Sequence, residues 1–339
     1  MLRESLFAGV IGLGVGEKHV IGYDLHPKCQ VKVICDLNPE VLEQVGKRHE
    51  GKELTTDPES VLEDPRIDVI SIASFDDFHE RQVVKALENG KHVFVEKPLC
   101  LTTKELENIV RTLNAYPGLK LSSNLILRKS PRFIELKERI SSGDFGDIYH
   151  FEGSYDYGRL HKLTNGWRGT IPHYSVTHGG GIHVIDLILW LSGKKVEMVQ
   201  AVGNRIPTQK SIFEGPSLTS AILKFEDGAT AQVTSNYASA TPHHHKISVY
   251  GTSCTFEQSH QGAVYMKGRD PRATSELVDS PYPGTDKGDL IRNFIDSILG
   301  ETNPEVSKKE VVEAMSVSLA IDESLSSPNS HMVKYPRLQ

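Results

Sequence analysis

The sequence predicts two successive domains. The first is an α/β domain built on a doubly wound parallel sheet, and the second is an α+β domain with a large, mostly antiparallel open sheet. Three observations carry this prediction. The chain has 339 residues, more than the roughly 250 to 300 at which a single hydrophobic core stops growing. Over residues 6–123 short apolar runs alternate with helix-start signals, the rhythm of parallel strands joined by crossover helices. Beyond Asn124 the strands follow one another directly, which favours antiparallel pairing. The boundary falls at 123/124, giving domains 1–123 and 124–339, with the last helix free to return to the first domain.

Each element has its own local reason. Leu6 to Gly12 is an apolar run ending in glycine, a mixed stretch to Leu25 follows, and Val31 to Cys35 is a second β-type run, so strand, helix and strand are expected. Asn38-Pro39-Glu40 combines an N-cap, a first-turn proline and an acid matched to the helix dipole, opening a helix through His49. Asp57-Pro58-Glu59 repeats that signal. Val69 to Ala73 and His92 to Glu96 are buried-strand candidates, separated by a helix through Ala86 and Leu87 that Gly90 can end in a left-handed conformation. Thr102 with Glu105 forms a capping box for a helix through Leu113, and Leu119 to Ser123 supplies another strand.

In the second domain one helix starts at Ser130-Pro131. Strands follow over Ile148 to Tyr157, Val196 to Arg205, Ser217 to Phe225 and Ala229 to Tyr237. Asp227-Gly228 between two alternating runs signals a hairpin. His245 to Gly251, Thr255 to Glu257 and Ala263 to Lys267 extend the series. Helices over Asp289 to Leu299 and from Ser307, with Glu310 as capping partner, to about Leu325 close the chain.

Composition narrows the class of ligand. With 38% hydrophobic and 24% charged residues the chain has the makeup of a packed globular protein. A net charge of −6 with dispersed Lys and Arg argues against nucleic acid or an anionic membrane as partner and for a small molecule. Cys29, Cys35, Cys100 and Cys254 show neither a C-x-x-C pair nor zinc-ligand spacing, so reduced thiols are expected. The apolar run Leu6 to Leu13 is too short for a membrane span and lacks a cleavage pattern, which points to the cytoplasm.

The chemistry-bearing residues begin at the first turn. Gly12, Gly14 and Gly16 stand where the first strand passes into the first helix, where a backbone must approach a pyrophosphate closely. Their spacing is G-x-G-x-G rather than G-x-G-x-x-G, and a plain tight glycine turn is the competing reading. Asp36, at the end of the second strand and about 20 residues beyond the glycines, suits hydrogen bonds to an adenosine ribose and repels a 2′-phosphate. Its competing reading is a helix cap. With Leu37 and Asn38 following and no adjacent Arg, NAD is favoured over NADP.

The fifth strand ends in Glu96-Lys97-Pro98, and ligands bind at the carboxyl ends of parallel strands. With this tripeptide, the segment Ser74 to His79 and the pattern His183-x-x-Asp186-x-x-x-Trp190, nearly the whole chain resembles the Gfo/Idh/MocA oxidoreductases. The resemblance implies an N-terminal Rossmann domain for NAD and a C-terminal domain for substrate and oligomerisation. It implies hydride transfer between nicotinamide and a secondary hydroxyl or keto group of a sugar, sugar acid, cyclitol or nucleotide sugar. It places Gly12, Gly14, Gly16, Asp36, Ser74, His79, Glu96 and Lys97 at the cofactor, makes Lys97 and His183 the catalytic pair, and suggests a homodimer or homotetramer. An imidazole titrating near neutrality beside an ammonium is suitable machinery for the proton that leaves with the hydride.

One departure stands out. Many members read D-x-x-x-H, whereas here Gly179 holds the Asp position in His178-Gly179-Gly180-Gly181-Ile182-His183. Lys97 and His183 as a sufficient dyad is the favoured reading, with His178 or Asp186 as alternative supporting groups. Asn124, Arg128, Tyr157, Arg159, Trp167, Arg168, His178 and Asp186 are the substrate-site candidates. The aromatic and cationic loop Tyr155 to Arg168 suits a polyhydroxylated, anionic ligand or an oligomer contact equally. No metal is expected from His243-His244-His245, because three consecutive residues cannot all face one ion. Two rivals remain: a non-catalytic NAD-binding sensor, and an enzyme that retains its cofactor between two substrates.

Overall fold

A computed structural model describes residues 5–270 and 272–339. Contacts divide the chain into two compact units. The first runs to Ile126 and regains Thr285–Glu313 and Pro336–Gln339; the second is Leu127–Gly284 with Ala314–Tyr335. The single cut read from the sequence at 123/124 differs from this division chiefly because the segment from Thr285 packs on the first unit.

The first unit alternates β1 (Leu6–Ile11), α1 (Leu13–Asp24), β2 (Cys29–Cys35), α2 (Pro39–Arg48), β3 (Glu53–Thr55), α3 (Pro58–Glu63), β4 (Val69–Ile72), α4 (His79–Glu88), β5 (His92–Val95), α5 (Thr103–Ala115) and β6 (Leu121–Ser123). The strands form one sheet in the order β3-β2-β1-β4-β5-β6, and every pairing in it is parallel. This is the doubly wound Rossmann order, with the strand order reversing between β1 and β4. All four residues of β4 are buried, as expected where helices cover both faces. The helix starts follow the sequence signals. Asn38 accepts from the amides of Glu40 and Val41, Asp57 accepts from Glu59, and Thr102 and Glu105 close a reciprocal capping box. Gly90 sits at φ 73°, past the end of α4. Strand β3 has no counterpart in the sequence reading, because its three residues are an outer, largely exposed edge.

The second unit contains α6 (Pro131–Ser141), β7 (Ile148–Asp156), α7 (His161–Thr164), α8 (Ile182–Ser192), β8 (Val196–Asn204), β9 (Leu218–Phe225), β10 (Thr230–Asn236), β11 (His244–Gly251), β12 (Thr255–Ser259), β13 (Gly262–Met266) and β14 (Ser275–Leu277). The chain then forms α9 (Asp289–Ile298) in the first unit, α10 (Lys308–Ser324) and β15 (His331–Met332). Nine strands make one sheet, β14-β13-β12-β11-β7-β10-β9-β8-β15. All neighbours are antiparallel except β7 and β10, which run parallel. Burial alternates along β9 and β10, so one face is covered and the other is open. On the covered face α8 lies close to β7: a Cβ at Gly153 would come within 2.2 Å of Val184 Cγ1. No helix among the described residues is long and apolar enough to cross a membrane.

Candidate active site

In the first unit the turn from β1 to α1 divides labour among its glycines. Gly12 has φ 85°, and a Cβ there would meet the Ala73 carbonyl oxygen at 2.3 Å. A Cβ on Gly16 would lie 3.0 Å from Val10 Cγ1, so this glycine sets how closely α1 packs on β1. Gly14 meets nothing within 4 Å and is exposed. Two glycines thus answer to the protein's own packing, and the third leaves backbone open to a ligand at a helix N-terminus whose N-cap residue, Gly12, has no side chain to cap it. That is the arrangement a pyrophosphate needs. Asp36, directly after β2, accepts from the amide of Leu13 through Oδ2 at 2.8 Å and from Asn38 through Oδ1 at 2.8 Å. Its carboxylate is tied to the glycine turn and, with about four acceptor sites, has the capacity to accept further hydrogen bonds.

The end of β5 carries a buried polar network. Glu96 is 7% exposed; its Oε1 accepts from Asn124 Nδ2 at 2.7 Å and lies 3.3 Å from His19 Nε2. His19, fully buried, bonds Ser71 Oγ through Nδ1 at 2.8 Å. The second Glu96 oxygen accepts from the amide of Lys97 at 3.3 Å. Burial alone would push the Glu96 carboxyl up, but the hydrogen bond to His19 and the charges of Lys287, His19 and Lys97 hold it well below the usual carboxylate range. An ionised carboxylate is therefore fixed beside Lys97, which is half-buried at the carboxyl end of the strand.

Other first-unit candidates have partners within the protein. Asn124, read from sequence as a substrate contact, is fully buried, and its amide donates to Glu96 and to the Lys287 carbonyl at 3.0 Å. The reason is position: it follows β6 directly, beside β5. His79 is also fully buried, with Nδ1 2.6 Å from the Pro98 carbonyl and Nε2 3.2 Å from that of Ser74. It thereby joins the loops after β4 and β5. Ser74 Oγ donates to Gln82 at 2.7 Å.

In the second unit His183 is 5% exposed on α8. Its ring stacks on Tyr155, with centroids 6.1 Å apart and planes at 23°, and meets His245 edge-on at 6.0 Å. Tyr155 also contacts Tyr157, Tyr237 and His243. Arg159 lies over Tyr157 at 5.1 Å and Arg168 over Trp167 at 4.1 Å, so Tyr157, Arg159, Trp167 and Arg168 form two cation–aromatic pairs. His244 faces the other way, 4.3 Å from His260, and burial lowers it to about 4.

Three proposed substrate residues of this unit are turned to internal partners. Arg128 and Asp186 form a two-pronged ion pair at 3.0 and 2.6 Å, with side chains 2% and 1% exposed. The Arg128 guanidinium also lies 6.0 Å from the Trp190 ring centroid. His178, 1% exposed, bonds Ser318 on α10 through Nδ1 at 2.8 Å and lies 3.6 Å from Asp322.

The sequence reading missed His19 and the Tyr174–Tyr237 hydroxyl pair, whose oxygens are 3.0 Å apart. The only available signal for His19 was its place in α1, three residues after Gly16. Nothing in the spacing of 174 and 237 announces their contact.

Comparison with known proteins agrees with this geometry. The model of the oxidoreductase family with an NAD-binding Rossmann fold matches residues 6–121, and the GFO/IDH/MocA C-terminal domain matches residues 133–257. The chain is 28% identical over 267 residues to scyllo-inositol 2-dehydrogenase (NAD(+)) of Bacillus subtilis, covering 74% of this chain and 73% of that protein. It is 22% identical to myo-inositol 2-dehydrogenase of Thermotoga maritima, covering 95% and 97%. A solved levoglucosan dehydrogenase, in complex with NADH and levoglucosan, superposes with a TM-score of 0.85 at 21% identity, covering 98% of this chain and 100% of that one. The glycine turn, Asp36, the strand-end Glu96-Lys97-Pro98 and the helix-borne His183 thus fall within matched domains, and the chain belongs to the Gfo/Idh/MocA family of NAD-binding oxidoreductases.

Proposed function

We propose that this enzyme moves a hydride between NAD and a secondary hydroxyl of a sugar or cyclitol. Lys97 orients the reacting oxygen and His183 transfers its proton. The observation that carries this reading is the fixed charge at the end of β5: the ionised Glu96, held by Asn124 and His19, keeps a positive partner at Lys97 favourable. NAD, when bound, supplies the hydride acceptor. Gly14 and the N-terminus of α1 would hold its pyrophosphate and Asp36 its ribose. His183, nearly buried on an aromatic floor, is shielded from water while it takes or gives a proton.

The names of the relatives support polyols as the substrate class. Arg159 and Arg168, with Tyr157 and Trp167, favour a polyol bearing a carboxylate or phosphate. The open sheet face, where Val202 is 70% and Ile222 51% exposed, supports assembly into a homo-oligomer. Four buried, unbridged cysteines suit the cytoplasm. The decisive experiment is NAD reduction with a panel of cyclitols, aldoses, sugar acids and nucleotide sugars. Turnover on at least one supports the reading; NAD binding without turnover on any overturns it.

A further inference from the structure

The run Gly179-Gly180-Gly181 is a seat for four side chains. A Cβ on Gly179 would lie 2.0 Å from Tyr174 Oη and 2.8 Å from Tyr237 Oη; on Gly180, 2.2 Å from Tyr155 Cε1; on Gly181, 2.0 Å from Ser235 Oγ. None of these separations is compatible with a real side chain, so the turn that leads into His183 is kept bare by tyrosines at 179 and 180 and by Ser235 at 181. All three glycines are buried.

The seated groups form a continuous path to the imidazole. Tyr174 and Tyr237 share a hydrogen bond at 3.0 Å. The Tyr237 ring packs against Tyr155 at 5.9 Å and Tyr157 at 4.8 Å. Tyr155, wedged between Gly180 and Tyr237, stacks on His183. Burial raises the Tyr155 and Tyr237 hydroxyls well above the usual phenol range, so both stay protonated and uncharged across the working range of an imidazole. The hydroxyl pair fixes one ring, that ring fixes the next, and the last sets the plane of His183.

We propose that Tyr174, Tyr237 and Tyr155 are positioning residues for proton transfer at His183, admitted to that place by the glycines at 179 and 180. The proposal rests on the assignment of His183 as the proton-transfer group. Misplacing a reacting group by about 1 Å can cost on the order of 10² in rate, so an uncharged aromatic clamp is sufficient to matter.

The test uses the full chain and three variants: Tyr237→Phe, Tyr174→Phe and Gly180→Ala. The phenylalanine variants keep the rings and remove the shared hydrogen bond. The expected result is a kcat lower by about tenfold in each, scaled to the loss of one hydrogen bond, and the double phenylalanine variant no worse than either single, because one bond is lost once. KM for NAD should be unchanged. Gly180→Ala, which pushes Tyr155 aside, should cost on the order of 10². In parallel, NMR titration of the His183 ring without substrate should show its midpoint moved by about half a unit in the phenylalanine variants, about a threefold change in the protonation equilibrium. A lower melting temperature with unchanged kcat and an unchanged His183 titration would mean that the tyrosines only stabilise the fold, and overturns the proposal. If the wild type turns over no polyol, the functional reading fails, and the titration alone decides this one: a moved midpoint supports the clamp and an unmoved one overturns it.

Discussion

Arg128 and Asp186 hold each other through two hydrogen bonds, at 3.0 and 2.6 Å, in a place where neither side chain is more than 2% exposed. Removing one partner takes the two-pronged counter-charge away from a buried ion. Asp186→Ala should therefore destabilise the protein by about 3 to 5 kcal/mol, read as a lower denaturation midpoint. Arg128→Met with Asp186→Leu should cost far less than Asp186→Ala alone. If Asp186→Ala proves neutral in stability and instead weakens substrate binding, the pair is a ligand site after all.

Gly12 and Gly14 should respond differently to alanine. At Gly12 the positive φ and the Ala73 carbonyl at 2.3 Å make Gly12→Ala destabilising, by about 1 to 3 kcal/mol for the backbone conformation alone. Gly14→Ala meets no protein atom within 4 Å, so stability should hold while NAD affinity falls. Thermal denaturation and calorimetry on the same two variants separate the effects.

Asp36 should make NAD bind at least about tenfold tighter than NADP, roughly 1.4 kcal/mol. Asp36→Ser should narrow that gap. Equal affinities in the wild type would show that the carboxylate serves only the amides of Leu13 and Asn38.

Lys97→Ala and His183→Ala should each lower turnover by about 10² or more with NAD binding intact. His178→Ala is the control. Bound to Ser318 and facing Asp322, it should lower stability and leave kcat nearly unchanged. The reverse pattern, with His178→Ala inactive and His183→Ala active, would move the proton-transfer role to the start of the glycine run.

The buried Glu96 predicts an acid-sensitive first unit. In the folded protein it stays ionised, while the unfolded chain takes up a proton near about pH 4.5. The unfolded state then binds more protons, so stability falls as pH drops. This contribution is complete above that pH and is lost progressively below it. His92, which burial and Lys120 hold at about 4 against an ordinary 6.5, adds a separate loss between those values, because the unfolded state protonates first. Denaturation midpoints measured from pH 7 to pH 3 should show both phases. Glu96→Gln should flatten only the lower one.

The sequence was most informative where local chemistry decides structure. Caps at Asn38, Asp57 and Thr102, the turn at Gly90 and the hairpin at Gly228 depend on a few adjacent residues, and each is found in the fold. Edge strands β3, β14 and β15 were not legible, because three or two partly exposed residues carry no periodicity. The pairing of β7 with β10 was equally hidden: parallel neighbours far apart in sequence are chosen by the packing of α8 and the intervening strands. At the site, the strand-end Glu96-Lys97-Pro98 was visible as a motif. Whether Arg128, Asp186, Asn124 and His178 faced a ligand or one another was not, since polar residues buried in a pair look the same in sequence as polar residues lining a cleft.

The excursion of the chain out of the first unit at Ile126 and back at Thr285 bears on how the protein is made. Helix α9 packs beside α1 and β5, setting Phe294 5.7 Å from Phe94. At the 5 to 20 residues per second of synthesis, the ribosome needs on the order of ten seconds to produce residues 127–284 before that helix exists. During that time the six strands have all emerged, yet the flank that α9 will cover lies bare to water and to other nascent chains. The nucleotide-binding unit is thus begun first and finished late, and its vulnerable interval is as long as the synthesis of its neighbour.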